Sequence, residues 1–194
     1  DKMDWNMEMP YVYEKITTES AGLVQKRQLF RHQRFNCTFV LLSSSIISQW
    51  KHELSHTNLK VAVISSKKHV DQVEPEKFDV VLVTTNVYNV VVQSFSKYAW
   101  KRFIFDEPGH TRVTGMRPVQ AGFYWFVTAT PEEMRLYHRN CRGSFMRKII
   151  GDGWEPIEEQ FSGMIIQNDI DFVKMSFEMP NTEHINHHCR STIL

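Results

Sequence analysis

Five short runs of apolar residues constrain the fold of this chain more than any other feature of its sequence. Each run is rich in Val, Ile, Leu or Phe and is too short to form a helix. The runs are mostly unbroken instead of alternating with polar residues, which is typical of strands buried on both faces of a parallel sheet. They are Cys37–Leu42, Val61–Ile64, Val80–Thr84, Phe103–Phe105 and Phe123–Thr128.

Helical segments fit between several of these runs. Ser45–Leu54 has apolar residues at helical spacing, with its first serine as the expected N-cap and Trp50 expected in the core. We expect Asn86 to cap a second helix over Val87–Phe95, and Pro131 to begin a third. Alternating strands and helices predict an α/β fold with a doubly wound, mainly parallel sheet. Ligands of such sheets bind at the carboxyl ends of the strands.

Composition narrows the function classes. The chain has 194 residues, of which 42% are hydrophobic and 23% are charged, and its net charge is +1. No global field therefore attracts it to nucleic acid or to a membrane, so any such contact must be local. The sequence has no apolar run long enough to cross a bilayer, and we expect no membrane partner. Three widely spaced cysteines indicate an intracellular, reducing environment instead of a disulfide framework.

An acid pair, Asp106 and Glu107, follows directly after the apolar run Phe103–Phe105. In a nucleoside triphosphatase, an Asp in this position holds Mg²⁺ through water, and the neighbouring Glu orients the attacking water. Taken alone, the pair is equally consistent with a solvated strand end.

Hydroxyl side chains follow three other runs. Helix-start amides and hydroxyl groups together suit a phosphate of a nucleic acid, and hydroxyls beside the acid pair could couple the phosphate state to domain movement. Each segment by itself is also compatible with an ordinary strand-to-helix turn. The residues are Thr128 and Thr130 after the last run, Ser43, Ser44 and Ser45 after the first, and Thr84 and Thr85 after the third.

The order and spacing of these segments resemble the first RecA-like domain of superfamily 2 helicases, especially the branch that includes chromatin-remodelling translocases. Within that branch, two segments are similar to helicases of large double-stranded DNA viruses: Phe123–Thr128 and the opening Asp1–Tyr13. A viral origin would place the protein in the host cytoplasm or the virion. The matching segments are Ser45–Trp50 for motif Ia, Val83–Thr85 for motif Ib, Asp106 and Glu107 for motif II, and Thr128–Pro131 for motif III.

The resemblance implies an ATP-dependent helicase or translocase that uses ATP and Mg²⁺ in the intact protein. Asp106 and Glu107 would be catalytic, with Asp106 holding Mg²⁺ through water, and Thr128 and Thr130 would join them in contacting the nucleotide. The nucleic acid, with DNA favoured over RNA, would contact Ser43, Ser44, Ser45, Thr84 and Thr85. We expect residues 1–139 to form the RecA-like domain and residues 140–194 an extension towards a second RecA-like domain that is missing from this chain.

Two departures from the family pattern bear on activity. None of the eight glycines is followed by lysine, so the phosphate-binding motif I is absent, and we expect it upstream of Asp1. We therefore expect this chain alone to be inactive. In addition, Pro108 and Gly109 move His110 one place along, which leaves glycine at the fourth position of motif II. That position normally links ATP to motif III, so the departure puts the energy coupling in question.

Three other interpretations stay open on the sequence alone. The chain could be an inactive, helicase-derived module that binds a partner or nucleic acid without turnover. It could be a metal-dependent nuclease that uses Asp79 together with Asp106 and Glu107. A zinc site at His184–Cys189 is the third, although ligands spaced so closely in an extended segment point to opposite faces.

Overall fold

The computed structural model describes residues 11–18, 25–140, 145–151, 156–169, 171 and 175. The chain divides into two compact units, Asp1–Ile157 and Glu158–Leu194. The sheet and the candidate site lie in the first unit. The extension expected over residues 140–194 stays a prediction.

The described residues form strands and helices in alternation. A 3-10 turn, Ser44–Ile46, precedes the first helix, and a second one, Pro75–Lys77, precedes the fourth strand. None of the helices described is long and apolar enough to span a membrane. The strands are β1 (Tyr11–Thr18), β2 (Gln25–Leu42), β3 (Val61–Ile64), β4 (Val80–Thr84), β5 (Tyr98–Asp106) and β6 (Tyr124–Val127). The helices are α1 (Ile47–Ser55), α2 (Lys67–Gln72), α3 (Tyr88–Ser94), α4 (Pro131–Asn140), α5 (Phe145–Ile150) and α6 (Ile157–Gln160).

Five of the strands form a parallel sheet in the order β3-β4-β2-β5-β6. Val40 of the central strand pairs with Leu82 on one side and with Ile104 on the other. β1 pairs antiparallel with the first part of β2, from Gln25 to His32. The predicted strands are present as β2 to β6, which all run in the same direction, and β1 runs opposite to β2.

Helices cover both faces of the sheet because side chains along each strand alternate between the two faces. On one face, Trp50 and Leu54 of α1 pack against Val40 and Leu82. On the other face, the ring of Tyr88 in α3 meets Phe39 of the central strand at 5.8 Å between centroids. This arrangement confirms the predicted α/β class with a doubly wound, mainly parallel sheet, the layer arrangement expected of a RecA-like domain.

The helix starts differ from the predictions in two places. Ser45 caps no helix: Ser43 caps the 3-10 turn, where its Oγ accepts a hydrogen bond from the backbone N of Ser45 at 3.2 Å, and α1 begins at Ile47 without a side-chain cap. Asn86 caps no helix, because its side chain bonds to the Thr84 hydroxyl and to the backbone O of Ser65. α3 starts instead at Tyr88, without a side-chain cap. Pro131 begins α4 as predicted.

Aromatic rings fill the core on the α3 face of the sheet. Phe39 is fully buried at its centre, with ring centroids 5.0 Å from Trp100, 5.5 Å from Phe103 and 5.8 Å from Tyr88. Burial also raises the pKa of the nearby Cys37 thiol to about 12, so this free cysteine stays protonated and inert at neutral pH. The packing of the central strand therefore carries much of the stability of the unit.

We expect Phe39→Ala to lower the free energy of unfolding by about 3–5 kcal/mol, because it removes a ring from a closely packed core and leaves a cavity. Phe123→Ala is the matched control, since that ring is 50% exposed on an edge of the sheet. Its cost should stay within about 1 kcal/mol. Equilibrium urea unfolding measures both, and equal losses for the two variants would contradict this account of the core.

Candidate functional site

The carboxyl ends of four parallel strands, β2, β4, β5 and β6, lie at one edge of the sheet. Leu42 pairs with Thr84, and Asp106 pairs with Val127, so the residues that follow these strand ends share that edge. β2 and β5 are themselves neighbours in the sheet. The structure thus confirms that the segments singled out in the sequence lie along one edge: Ser43, Thr84, Asp106, Glu107 and Thr128.

Glu107 is bound tightly to the end of β6. Its backbone N donates to the Val127 carbonyl at 2.8 Å, the Thr128 hydroxyl donates to Oε2 at 2.8 Å, and the Ala129 backbone N donates to Oε1 at 3.4 Å. Its φ of 48° lies in the left-handed region, which non-glycine residues rarely adopt and which costs of order 1–3 kcal/mol. The strained backbone therefore directs this carboxylate towards the threonines after β6.

His110 reaches those threonines despite the departure at Pro108 and Gly109. The backbone N of His110 and of Thr111 both donate to the Glu107 carbonyl, at 3.1 and 2.8 Å, which closes a tight turn. That turn brings the His110 Nε2 within 3.2 Å of the Thr130 hydroxyl. The turn absorbs the extra residue, so His110 contacts the threonine segment although glycine occupies the fourth position, and the effect on energy coupling stays a prediction.

The turn leaves no room for a side chain at Gly109. A Cβ placed on Gly109 would lie 2.7 Å from the Cβ of Glu133 and 3.1 Å from the backbone N of Met134, at the start of α4. Contacts below 3.0 Å require one of the two parts to move. The turn after Glu107 and the first turn of α4 are consequently packed backbone against backbone.

Asp106 faces the opposite direction from Glu107. Trp50 Nε1 donates to Asp106 Oδ2 at 2.7 Å, from α1 across to the end of β5. Trp50 is only half-buried, so the expectation that it simply fills the core is incomplete. A partly buried indole N–H normally finds an acceptor, and this requirement was the available signal in the sequence.

The serine and threonine candidates for nucleic-acid contact differ in their accessibility. Ser44 and Ser45 are exposed, and the Ser43 hydroxyl lies 2.5 Å from that of Ser45. Thr84 is only 1% exposed, and its hydroxyl bonds to the Asn86 side chain. The Thr84 hydroxyl is therefore engaged inside the protein, whereas the adjoining Thr85 is half-buried.

The nuclease interpretation is not supported by the geometry. Asp79 precedes β4 and accepts a hydrogen bond from the backbone N of Lys60 at 2.8 Å, so it lies at the amino edge of the sheet. Asp106 ends β5 at the carboxyl edge. Within the described ranges there is also no group of three or more His, Cys, Asp or Glu side chains that could hold a metal ion. The zinc candidate His184–Cys189 lies outside the described residues.

Comparison with solved structures gives distant likenesses. The chain is similar to a SWI2/SNF2 ATPase core from Sulfolobus solfataricus in complex with double-stranded DNA, with 19% identity, a TM-score of 0.45, and coverage of 66% of this chain and 28% of that one. It is also similar to a nuclease-deletion mutant of the type ISP restriction-modification enzyme LlaGI in complex with a DNA substrate mimic, with 16% identity, a TM-score of 0.35, and coverage of 52% and 13%.

The chain thus matches only 28% and 13% of the length of these two proteins. No protein-family model matches it, and no curated protein matches it. The fold class accordingly rests on the strand directions and on the helices found on both faces.

We expect Gly109→Ala to destabilise the unit by about 1–3 kcal/mol, the usual cost of overpacking, and to separate His110 from Thr130. Gly115→Ala is the control: Gly115 has a φ of 58°, but nothing lies within 4 Å of its added Cβ. The control should lose stability through backbone strain while the His110 ring keeps its NMR chemical shifts. An unchanged His110 spectrum in Gly109→Ala would show that the turn tolerates a side chain.

Proposed function

We propose that this chain is part of the first RecA-like domain of a superfamily 2 helicase or translocase, which hydrolyses ATP in the intact protein. One observation carries the proposal. Glu107 and His110, which follow β5, form one hydrogen-bonded network with the threonines after β6, in which Thr128 bonds to Glu107 and Thr130 bonds to His110. A network of this kind lets the state of a bound phosphate act on the segment after β6 and on α4.

The roles proposed for the acids follow from their surroundings. Magnesium sites in nucleotide enzymes use one or two carboxylates together with substrate phosphates and waters, so a single Asp such as Asp106 suffices on the protein side. Asp106 would hold the ion through water, and the ion would supply positive charge against the phosphates. Glu107, held by Thr128 and by the Ala129 amide, would orient the attacking water, and Thr128 and Thr130 would contact the nucleotide's phosphates.

The free edge and the exposed face of β6 favour the presence of a further strand and helix beside it. β6 pairs with β5 alone among the described strands, and three apolar side chains on the α1 face, one just before β6 and two within it, remain 42–50% exposed: Phe123, Trp125 and Val127. A contiguous apolar strip of this kind normally marks a surface that another element covers. A strand and helix that carry the phosphate-binding loop would fit here, and would place that loop next to Glu107 and Thr128.

The nucleic-acid surface that we propose consists of Ser44, Ser45 and Thr85. Exposed hydroxyls and backbone amides bind phosphates without reading bases. The resemblance to chromatin-remodelling translocases favours DNA over RNA, and the similarity to helicases of large double-stranded DNA viruses, with a host-cytoplasm or virion location, belongs to the same proposal. A second RecA-like domain would complete both the nucleotide site and the nucleic-acid clamp.

An inactive, helicase-derived binding module is the second candidate. It is favoured by the absence of any Gly-Lys pair in the sequence. A segment of the parent gene upstream of Asp1 that encodes Gly-Lys-Ser or Gly-Lys-Thr would exclude it.

We expect this chain alone to hydrolyse no ATP at a measurable rate, because the loop that supplies most phosphate contacts is not in its sequence. A steady-state phosphate-release assay with and without DNA measures this. The control is Glu107→Gln, which removes the proposed water-orienting group. DNA-stimulated hydrolysis that disappears in Glu107→Gln would contradict the expectation.

We also expect weak binding to oligonucleotides, with little sequence preference and strong dependence on salt, because phosphate contacts release counterions. A dissociation constant weaker than roughly 10⁻⁵ M at physiological salt is typical of such contacts. Fluorescence anisotropy at two salt concentrations tests this, with a Ser44→Ala, Ser45→Ala double variant expected to bind less well and Ser94→Ala, on the distant end of α3, as the control. Tight, base-selective binding that is insensitive to salt would point to a dedicated recognition module.

A further inference from the structure

The hydrogen bond between Trp50 and Asp106 joins two parts of the candidate site that lie 56 positions apart in the chain. The donor is the indole Nε1 in α1, and the acceptor is Oδ2 of the carboxylate that ends β5, at 2.7 Å. Hydrogen bonds to an ionised carboxylate are shorter and stronger than those between neutral groups. This bond is therefore a specific link between α1 and Asp106 at the end of β5.

α1 is held firmly on the sheet and begins at the serine turn. Its residues Ile47, Trp50 and Leu54 pack against the cluster that contains Val40 and Leu82. The 3-10 turn Ser44–Ile46 runs directly into α1, so one continuous segment carries both the exposed serines and the indole. Trp50 lies about one helical turn after Ile46, the last residue of the 3-10 turn, so a movement of the serine turn that carries the start of α1 with it also moves the indole.

The Asp106 carboxylate is held at one oxygen only. Oδ2 accepts from Trp50, while Oδ1 receives no hydrogen bond from any of the residues that the structure describes. A single donor restricts the rotation of the carboxylate and leaves the other oxygen of this half-buried residue available to accept from a ligand. The orientation of that open oxygen thus depends on where α1 places the indole.

We infer that Trp50 is a positioning residue: it orients the Asp106 carboxylate and couples phosphate contact at the turn of Ser43–Ser45 to that orientation. The hydrogen bond does not depend on the proposed function. The identity of the two ligands does rest on it: nucleic acid at the turn, and Mg²⁺ with nucleotide at Asp106. In this arrangement, a nucleic-acid phosphate that shifts the serine turn also shifts the group that would hold the ion. No part of the backbone needs to unfold for this coupling.

The positioning role is tested by NMR on the whole chain, with ¹⁵N-labelled indoles and ¹³C-labelled carboxylates. Trp50→Phe removes the donor and keeps an aromatic ring, while Leu54→Ala removes packing from the same helix face without removing a donor. The Asp106 carboxylate signal should move in Trp50→Phe and stay in place in Leu54→Ala. Equal changes in both variants, or no change in either, overturn the positioning role.

A second variant covers the case in which Trp50→Phe does not fold. In Asp106→Ala, the Trp50 indole N–H should exchange with water roughly tenfold faster, the effect of losing one hydrogen bond to a charged group. The Trp125 indole, on the exposed face of β6, serves as the internal control and should exchange at an unchanged rate. An unaltered exchange rate at Trp50 overturns the link to Asp106.

The coupling is tested by adding a short single-stranded oligothymidylate while anisotropy reports its binding. The Trp50 indole and Asp106 carboxylate signals should move together in proportion to the bound fraction, and the double variant Ser44→Ala, Ser45→Ala should lose both the binding and the movement. Binding without any movement of these signals overturns the coupling but not the proposed function. Absence of binding contradicts the nucleic-acid part of the proposed function and the coupling with it, while the positioning role is still decided by the two experiments above.

Discussion

Parallel pairing of β2 with β4 and β5 is the constraint on which the rest of the structure depends. Because the three strands run in the same direction, the polar residues that follow them are gathered at one edge. The central strand is also the most apolar part of the core, with Phe39 and Leu41 on one face and Val40 and Leu42 on the other. The same residues that make the sheet stable therefore determine where its chemistry can occur.

The fold could be predicted because its signals are local and repeated. Unbroken apolar runs such as Val80–Thr84 indicate buried parallel strands, and Pro131 with its acidic neighbours marks a helix start. Helix caps were predicted less well. Ser43 and Ser45 are both capable caps, and only the path of the chain after β2 decides between them. Asn86 bonds to Thr84 and Ser65 because β3 and β4 are neighbours, a contact that no local pattern contains.

The candidate site could be predicted as a set of residues but not as a geometry. The sequence places Asp106 and Glu107 together, and a strand end would let both face one ligand. In the structure they diverge, because successive side chains of a strand point to opposite faces and because the backbone of Glu107 turns into the left-handed region. Asp106 consequently meets Trp50 of α1, and Glu107 meets Thr128 after β6. Each acid is thus hydrogen-bonded to a different part of the fold, and this pairing could not be predicted from the sequence.

The tight turn after Glu107 has a consequence for how relatives of this chain are recognised. A comparison that proceeds column by column sets Gly109 against the histidine of related motifs and scores a loss of function. In space, His110 lies one position later and its ring contacts Thr130. Under the proposed function, the contact with the threonine segment is kept although the letters of the motif differ. A one-residue gap before His110 is therefore the appropriate way to align this family of turns with the shorter ones.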